Sequence, residues 1–262
     1  MIGKYETIWP DHPFVFRVPD GSDTRERLES FGHRIEFLPT HEGEGRGRFR
    51  QTVFDLLSGI DDEEWVYWCI DDKYPISLDM RAHSRITSRL RSLDDVDALQ
   101  LCRVPPLPNS NQLEEGNEHR VDDYVFQRRL TYHRIWVHQF VRAKVLRSLF
   151  GSFPEVLASA KEMDPLKDAI VPPSDQRLYV SATSLAVFGE STMGGVLTTN
   201  CARSLQSGPG LPVGFEVSPT SRILGGPLEH RPVWTSRSLT RFPRRFLALG
   251  RKFRPRPARN HE

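Results

Sequence analysis

The chain has 262 residues, 38% of them hydrophobic, and its formal net charge at pH 7 is +2. This length suits one large α/β domain with a buried core, and no apolar run approaches the roughly 20 residues that a membrane-spanning helix needs. The N-terminus lacks the apolar stretch of a signal peptide. Three widely spaced cysteines (Cys69, Cys102 and Cys201) argue against a disulfide framework or a zinc site. We therefore expect a cytoplasmic protein.

The first hundred residues predict strands and helices in alternation. Apolar and β-branched runs predict strands at residues 14–18, 34–38, 65–70 and 98–104. Helical periodicity predicts helices that begin near Ser22, Phe49 and Ala82. Because this rhythm is typical of α/β folds, we expect a mainly parallel sheet with helices on both faces. The glycine-rich segment 43–47 lacks the lysine of a phosphate-binding P-loop.

The remainder of the chain predicts a loop, three helices and a short strand. Residues 105–117 are rich in proline and asparagine and predict a loop, either a mobile lid or a disordered segment. Helices are expected at residues 134–150 and 153–164. A strand at residues 185–188 then leads into a glycine-rich turn and a last helix beginning near Val196.

Two adjacent carboxylates, Asp71 and Asp72, directly follow the apolar strand 65–70. Ligands of α/β sheets bind beyond the carboxyl ends of the strands, so chemistry is expected at this point. Paired carboxylate oxygens suit Mg²⁺ or Mn²⁺ that also holds phosphate oxygens. An ordinary acidic turn after a core strand is the alternative.

Basic residues are concentrated in the C-terminal tail. Residues 237–262 hold nine Lys or Arg residues and one acidic residue, which gives about +8 against about −6 for the rest of the chain. Phenylalanines and leucines alternate with the arginines, a pattern typical of segments on an anionic membrane surface. The alternative is a disordered tail, which Pro243, Pro255 and Pro257 favour. No nucleic-acid partner is expected, because the basic charge does not extend into the body.

Three blocks of the chain resemble bacterial glycosyltransferases of the GT-A type, which assemble capsule or lipopolysaccharide. The blocks are Tyr-Glu-Thr-Ile-Trp-Pro-Asp-His-Pro-Phe at 5–14, Trp-Val-Tyr-Trp-Cys-Ile-Asp-Asp-Lys-Tyr at 65–74, and Gly-Glu-Ser-Thr at 189–192. The resemblance implies a GT-A-like, Rossmann-like fold. It also implies a nucleotide-sugar donor and a glycan or lipid-linked acceptor. The protein would work in the cytoplasm, with the tail holding it on the inner face of the plasma membrane.

The same resemblance implies roles for individual residues. Asp72, together with Asp71, would hold Mn²⁺ or Mg²⁺ beside the donor diphosphate. The residues implied in donor or acceptor binding are Trp68, Lys73, Glu190, Ser191 and Thr192. The last three would begin a helix whose N–H groups hold an anion, although helix capping is the alternative for Ser191 and Thr192. Trp68 and Trp136 could stack on sugar rings, although tryptophans at core periodicity are more often core residues.

An inverting transferase also needs a carboxylate base that takes the proton of the acceptor hydroxyl. Glu162 and Asp164 lie where such a base would come from, and a solvated helix end is the alternative. A serine hydrolase is not expected, because Met193 stands where the nucleophile-elbow pattern around Ser191 needs glycine.

The resemblance also implies a division of the chain. Residues 1–104 would bind the nucleotide sugar, residues 105–235 would form the acceptor side of the same domain, and residues 236–262 would be the tail. Only eight residues precede Trp9, where the family has a first strand and loop, so we expect an N-terminally truncated fold with an unpaired sheet edge. A non-catalytic relative that binds a glycan or a partner protein is therefore the alternative function. A phosphotransfer enzyme is a weaker one, because no lysine-bearing phosphate loop is present.

Overall fold

The computed structural model of the chain describes residues 1–40, 48–103, 112–193, 196–206 and 217–225. These residues belong to one compact unit, Met1–Arg231. The predicted tail and the glycine-rich segment 43–47 lie outside the described residues. Within the described residues, no helix is both long enough and apolar enough to cross a lipid bilayer.

Helices and strands alternate irregularly along the described chain. The α-helices are α1 (Ile2–Ile8), α2 (Ser22–Leu28), α3 (Arg48–Leu56), α4 (Met80–Arg89), α5 (Ala143–Ser152), α6 (Ala160–Met163) and α7 (Thr199–Gln206). Short 3₁₀ turns follow α2 (Glu29–Arg34) and α4 (Leu90–Ser92). The first strands are β1 (Phe16–Pro19), β2 (Ile35–Leu38), β3 (Trp65–Trp68), β4 (Lys73–Leu78), β5 (Ala98–Gln100), β6 (Leu113–Val121) and β7 (Tyr124–Arg129). The later strands are β8 (Gln139–Arg142), β9 (Leu178–Ser181), β10 (Ala186–Glu190), β11 (Thr192–Met193), β12 (Val196–Leu197) and β13 (Ile223–Leu224).

The strands form one large sheet and three small ones, and the fold is mixed α/β. The large sheet has the order β3-β8-β5-β9-β7-β6, and only its β5–β9 pair is parallel. Strands β1 and β2 form a separate parallel pair, β4, β10 and β13 an antiparallel sheet, and β11 and β12 a short hairpin. The prediction of a mainly parallel sheet is therefore not confirmed.

Helices cover both faces of the large sheet, as predicted. Because side chains alternate along a strand, Trp65 and Tyr67 of β3 face one core cluster and Val66 and Trp68 face another. The first cluster contains Ile86 of α4, and the second contains side chains of α3 and α5. Strand β3 is therefore packed on both faces by large apolar residues, although its own four residues are only half-buried.

The predicted helix at residues 134–150 is wrong in its first half. The residues Gln139–Arg142 form strand β8, which lies between β3 and β5 and is buried at all four positions. Phe140 and Val141 point to opposite faces of the sheet, into the two core clusters. Pairing with two neighbouring strands overrides a local pattern that also fits a helix, because propensity is only a weak prior. The helix α5 begins only at Ala143.

Other predicted boundaries also need correction. Residues 113–117 of the predicted loop belong to β6, while residues 104–111 lie outside the described residues. The helix predicted at 153–164 is reduced to α6, and the last helix begins at Thr199 because Val196 and Leu197 form β12. Strands β4, β7 and β9 were not predicted, and these short strands depend on long-range partners.

Arg142, at the end of β8, ties together the chain segments that lead into β3 and β5. The residue is 7% exposed, and its guanidinium group donates hydrogen bonds to the carbonyl oxygens of Glu63, Leu93 and Val96. It also lies 5.0 Å from the centre of the Trp65 ring, in a cation–π contact. A single side chain thus satisfies three loop carbonyls at one end of the sheet.

Strands β1 and β3 line a common apolar groove of about 350 Å³. Within the described chain, β1 is hydrogen-bonded to β2 alone and β3 to β8 alone. Each strand therefore has one edge whose N–H and C=O groups are not paired with another described strand. The side chains of Phe14 and Tyr67 stack beside this groove, with ring centres 4.6 Å apart.

Gly189 on β10 leaves no room for a side chain. A Cβ atom built there would lie 2.6 Å from the ring and hydroxyl of Tyr74 and 2.7 Å from the amide of Asn200. We predict that Gly189→Ala lowers the free energy of unfolding by about 1–3 kcal/mol, the usual cost of overpacking. Chemical denaturation would measure this change.

Gly151→Ala is the matched control. No heavy atom lies within 4 Å of a Cβ built at this exposed position in the last turn of α5. The same substitution there should stabilise the protein by about 0.5–1 kcal/mol, because alanine is the better helix former. Equal effects of the two substitutions would contradict the close contact at Gly189.

Candidate functional site

A cleft of about 530 Å³ opens where β3 ends, β4 begins and β10 ends. Of the residues predicted for the site, those that line it are Asp71, Asp72, Lys73, Asp164, Glu190 and Thr192. The sequence places these side chains in three distant segments of the chain. The fold brings them together because β4 pairs antiparallel with β10, which sets Lys73 opposite Glu190.

The turn that carries Asp71 and Asp72 is held by its backbone. The Nε2 atom of His138 lies 3.0 Å from the carbonyl oxygen of Ile70, immediately before the turn. The carbonyl oxygen of Asp72 accepts two hydrogen bonds from Ser191, from its N–H at 2.7 Å and its hydroxyl at 2.9 Å. The carboxylates themselves stay exposed. The turn is therefore fixed while its side-chain oxygens remain accessible.

The hydrogen bonds of His138 define its tautomer. Nε2 must donate to the carbonyl oxygen of Ile70, so Nδ1 is unprotonated and accepts from the hydroxyl of Tyr5 at 2.7 Å. Burial of the ring disfavours the charged form and lowers the pKa of His138 to about 3. The residue is neutral at physiological pH and acts as a fixed support behind the acidic turn.

Charges of both signs meet beside the turn. Lys73 is nearly buried, and its Nζ lies 3.2 Å from Asp72 and 3.9 Å from Glu190. Arg222 forms a 2.8 Å ion pair with the other oxygen of Glu190. Asp71, in contrast, makes no hydrogen bond or ion pair with the described residues. One carboxylate of the pair is thus oriented by a lysine and the other is free to bind a ligand.

The acidic pair could supply part of the coordination of a divalent cation. No group of three or more His, Cys, Asp or Glu residues that could hold a metal occurs among the described residues. A complete protein cage is therefore not formed by this part of the chain. Mg²⁺ and Mn²⁺ are commonly held by one or two carboxylates together with water and phosphate oxygens, and Asp71 with Asp72 could supply that share.

The two candidate bases have different surroundings. Asp164 lines the cleft, where it accepts a 2.7 Å hydrogen bond from the indole N–H of Trp136 and a 2.9 Å ion pair from Lys167. Glu162 is not among the described residues that line the cleft. Its carboxylate accepts a hydrogen bond from the N–H of Ala158, at the start of α6. Glu162 therefore caps a helix, and Asp164 is the base candidate that faces the cleft.

The predicted helix N-terminus at Glu190, Ser191 and Thr192 is not formed. Glu190 ends β10 and Thr192 begins β11, so no helix dipole points at a ligand here. Ser191 instead holds the Asp72 carbonyl, a role that the sequence pattern did not predict. Trp68 lies in a core cluster, and its indole N–H donates to the carbonyl of Ile135 at 2.9 Å.

Several cleft residues were missed in the sequence. They are His133, Arg134, Trp136, Lys161, Lys167 and Arg222. None of them belongs to a recognisable motif, and Trp136, which could stack on a sugar ring, was interpreted as a core residue of a long helix. The positive φ of Arg134 (62°) shows that the chain turns sharply at this point, which the sequence does not signal.

Comparison with known proteins gives no family assignment: no protein-family model matches the chain, and no curated protein is significantly similar to it.

We predict that His138 makes stability depend on pH. Its folded pKa of about 3 lies below the unfolded value of about 6.5, so the unfolded state binds more protons between these values. The stabilisation that the neutral His138 gives the folded state is therefore fully present above about pH 6.5 and is lost as the pH falls toward 3. Lowering the pH from 7 to 5 should reduce the free energy of unfolding by about 2 kcal/mol through His138 alone.

The variant His138→Gln isolates this effect, because glutamine can still donate to Ile70 and accept from Tyr5 but does not titrate. Urea unfolding at pH 7 and pH 5 should show a loss about 2 kcal/mol smaller in the variant than in the unchanged protein. The same loss in both proteins would contradict the assignment of a neutral, buried His138.

Proposed function

We propose that the protein is a metal-dependent glycosyltransferase that moves a sugar from a nucleotide-diphosphate donor to a glycan or lipid-linked acceptor. The observation that carries the proposal is the fixed acidic turn at the edge of a large cleft. Asp71 and Asp72 are exposed, their backbone is hydrogen-bonded on both sides, and cationic side chains lie in the same cleft. A nucleoside diphosphate needs a divalent ion and cations in this combination.

The residues of the cleft suit distinct parts of such a reaction. Asp71 and Asp72 would hold Mn²⁺ or Mg²⁺, which when bound neutralises charge on the departing diphosphate. Lys73, held between Asp72 and Glu190, orients the Asp72 carboxylate. Lys161, on the wall of the cleft, can pair with a phosphate oxygen.

Asp164 is the proposed base for the acceptor hydroxyl. Its carboxylate is 57% exposed and lines the cleft, while Trp136 fixes its orientation by a hydrogen bond. Trp136 also presents an aromatic surface at the cleft, which suits a sugar ring better than the packed Trp68. Glu162, Ser191 and Thr192 would then hold the structure of the site and would not contact the substrate.

The resemblance to GT-A-type transferases of surface-polysaccharide assembly supports the same proposal. In this chain the acidic pair lies between a half-buried strand of the large sheet and a strand of a small antiparallel sheet. A GT-A-like fold is expected to have a mainly parallel sheet, whereas most strand pairs of the large sheet are antiparallel. The GT-A-like fold is therefore proposed on the resemblance alone.

The first test is calorimetric titration with a panel of nucleoside diphosphates, with and without Mn²⁺. We predict metal-dependent binding that weakens at least about tenfold in Asp72→Asn, because removing one charged ligand costs more than about 1.4 kcal/mol. The matched control is Asp123→Asn, which removes an exposed carboxylate at the β6–β7 turn and should leave binding unchanged.

Absence of nucleotide binding by the unchanged protein would overturn the proposed donor site. The non-catalytic glycan- or protein-binding relative would then be the better interpretation. Metal-dependent binding that is equal in Asp72→Asn would instead refute the assignment of the metal to this turn.

We also propose that the basic tail holds the protein on the inner face of the plasma membrane, near lipid-linked acceptors. Deletion of residues 237–262 removes about eight positive charges, each worth roughly 1 kcal/mol at an anionic surface. The full chain should therefore sediment with phosphatidylglycerol-containing vesicles and the deleted chain should not. Neutral vesicles are the control, and equal sedimentation of both proteins with anionic vesicles would contradict the proposal.

A further inference from the structure

A second, much smaller cavity lies behind the cleft and shares His133 and Arg134 with it. Its volume is about 20 Å³, which is room for one water-sized group. The polar residues that line it are Gln100, Arg103, Gln112, Arg129, His133 and Arg134. No carboxylate is among the described residues of this lining.

Arg129 is the central group of this cavity. It is 5% exposed, and its guanidinium donates to the side-chain oxygens of Gln100 (2.9 Å) and Gln139 (2.8 Å) and to the carbonyl of His133 (3.1 Å). All three acceptors are neutral. Its Nε–H has no hydrogen-bond partner. The guanidinium is thus held in place by dipoles while its charge has no counter-ion in the described structure.

The missing counter-charge is costly for a buried arginine. Desolvation lowers the pKa of Arg129 to about 10, which still leaves the group charged at physiological pH. An unpaired buried charge is strongly destabilising. Residues 104–111, which join Arg103 to Gln112, contain no Asp or Glu that could neutralise it.

Other groups around the cavity also lack partners. Both ring nitrogens of His133, the Nε of Arg134 and the Oε1 of Gln112 are buried without a hydrogen bond. His133 is 9% exposed and Gln112 is 8% exposed. Asp168 lies outside the cavity lining, and its carboxylate makes a long ion-pair contact of 3.5 Å with Nδ1 of His133. Rotation of the Gln112 amide would turn its N–H₂ group toward an anion.

We propose that this cavity binds one small monovalent anion, with Arg129 as its counter-ion and the N–H groups of Arg134 and His133 as further donors. A space of this size suits one halide ion, or one carboxylate oxygen that reaches in from the adjoining cleft. The anion would come either from solution or from the carboxylate of a ligand in the adjoining cleft. This site does not depend on the proposed transferase activity.

Anion-dependent thermal unfolding of the full chain tests the proposal. Ionic strength is kept constant with sodium methanesulfonate, whose anion is a weak ligand, while chloride, bromide or acetate replaces it. We expect the Tm to rise by about 3–8 °C and to saturate, as for one ligand that binds only the folded state. Stabilisation by halide identifies a free ion, and stabilisation by acetate alone identifies a carboxylate ligand. No specific stabilisation by any of the three overturns the proposal.

Gln112→Glu provides a sharper test, because it places an internal carboxylate in the cavity without changing the side-chain size. Without chloride, we expect this variant to have the Tm that the unchanged protein reaches only at saturating chloride. Added anions should no longer change its Tm. Gln51→Glu, on the exposed surface of α3, is the matched control and should keep that dependence.

Chloride binding itself can be followed by the line width of the ³⁵Cl resonance. The unchanged protein and Gln51→Glu should both broaden the resonance, and Gln112→Glu should broaden it less. The proposal would be overturned if Gln112→Glu and the unchanged protein showed the same dependence of Tm on anions and the same broadening of the ³⁵Cl resonance.

Discussion

The insertion of β8 between β3 and β5 is the constraint on which the rest of the described structure depends. This strand is buried at every position and separates two strands that are much closer to each other in the sequence. Arg142, its last residue, satisfies the backbone carbonyls of the segments that precede β3 and β5. An unpaired carbonyl in such a place costs about 1–3 kcal/mol, so one arginine stabilises both of these segments through three carbonyls.

The same strand also positions the candidate site. His138 directly precedes β8 and reaches the carbonyl of Ile70, while Ser191 follows β10 and reaches the carbonyl of Asp72. The acidic turn is therefore anchored to both the large sheet and the small antiparallel sheet. These supports are neutral hydrogen bonds to backbone carbonyls. They fix the position of the turn and leave the charge of the Asp71 carboxylate unpaired.

Local features of the sequence predicted part of this arrangement. The strand β3 and the acidic pair after it are encoded within eight consecutive residues, and an apolar run of this composition has few other stable placements. The β8 segment was mistaken for a helix, because Ile135, Phe140 and Val141 satisfy a helical period as well as a strand. Only the long-range partners of β8 decide between the two.

The supports of the turn were beyond prediction for a related reason. Ser191 and His138 are separated from Ile70 and Asp72 by more than sixty residues, and neither contact follows from spacing along the chain. The same holds for the cavity around Arg129, whose neutral partners come from separate strands and loops. Sequence patterns identify residues that act together locally, and folding decides which distant residues join them.

The groove between β1 and β3 has a consequence for the protein in solution. One edge of β1 and one edge of β3 are not paired with another described strand, and both strands line the apolar groove. An extended peptide can bind such an edge by adding a strand to it. Any extended segment of another molecule can meet that need, including a second copy that is partly unfolded. These two edges are therefore the places in the described structure where intermolecular β-pairing would begin.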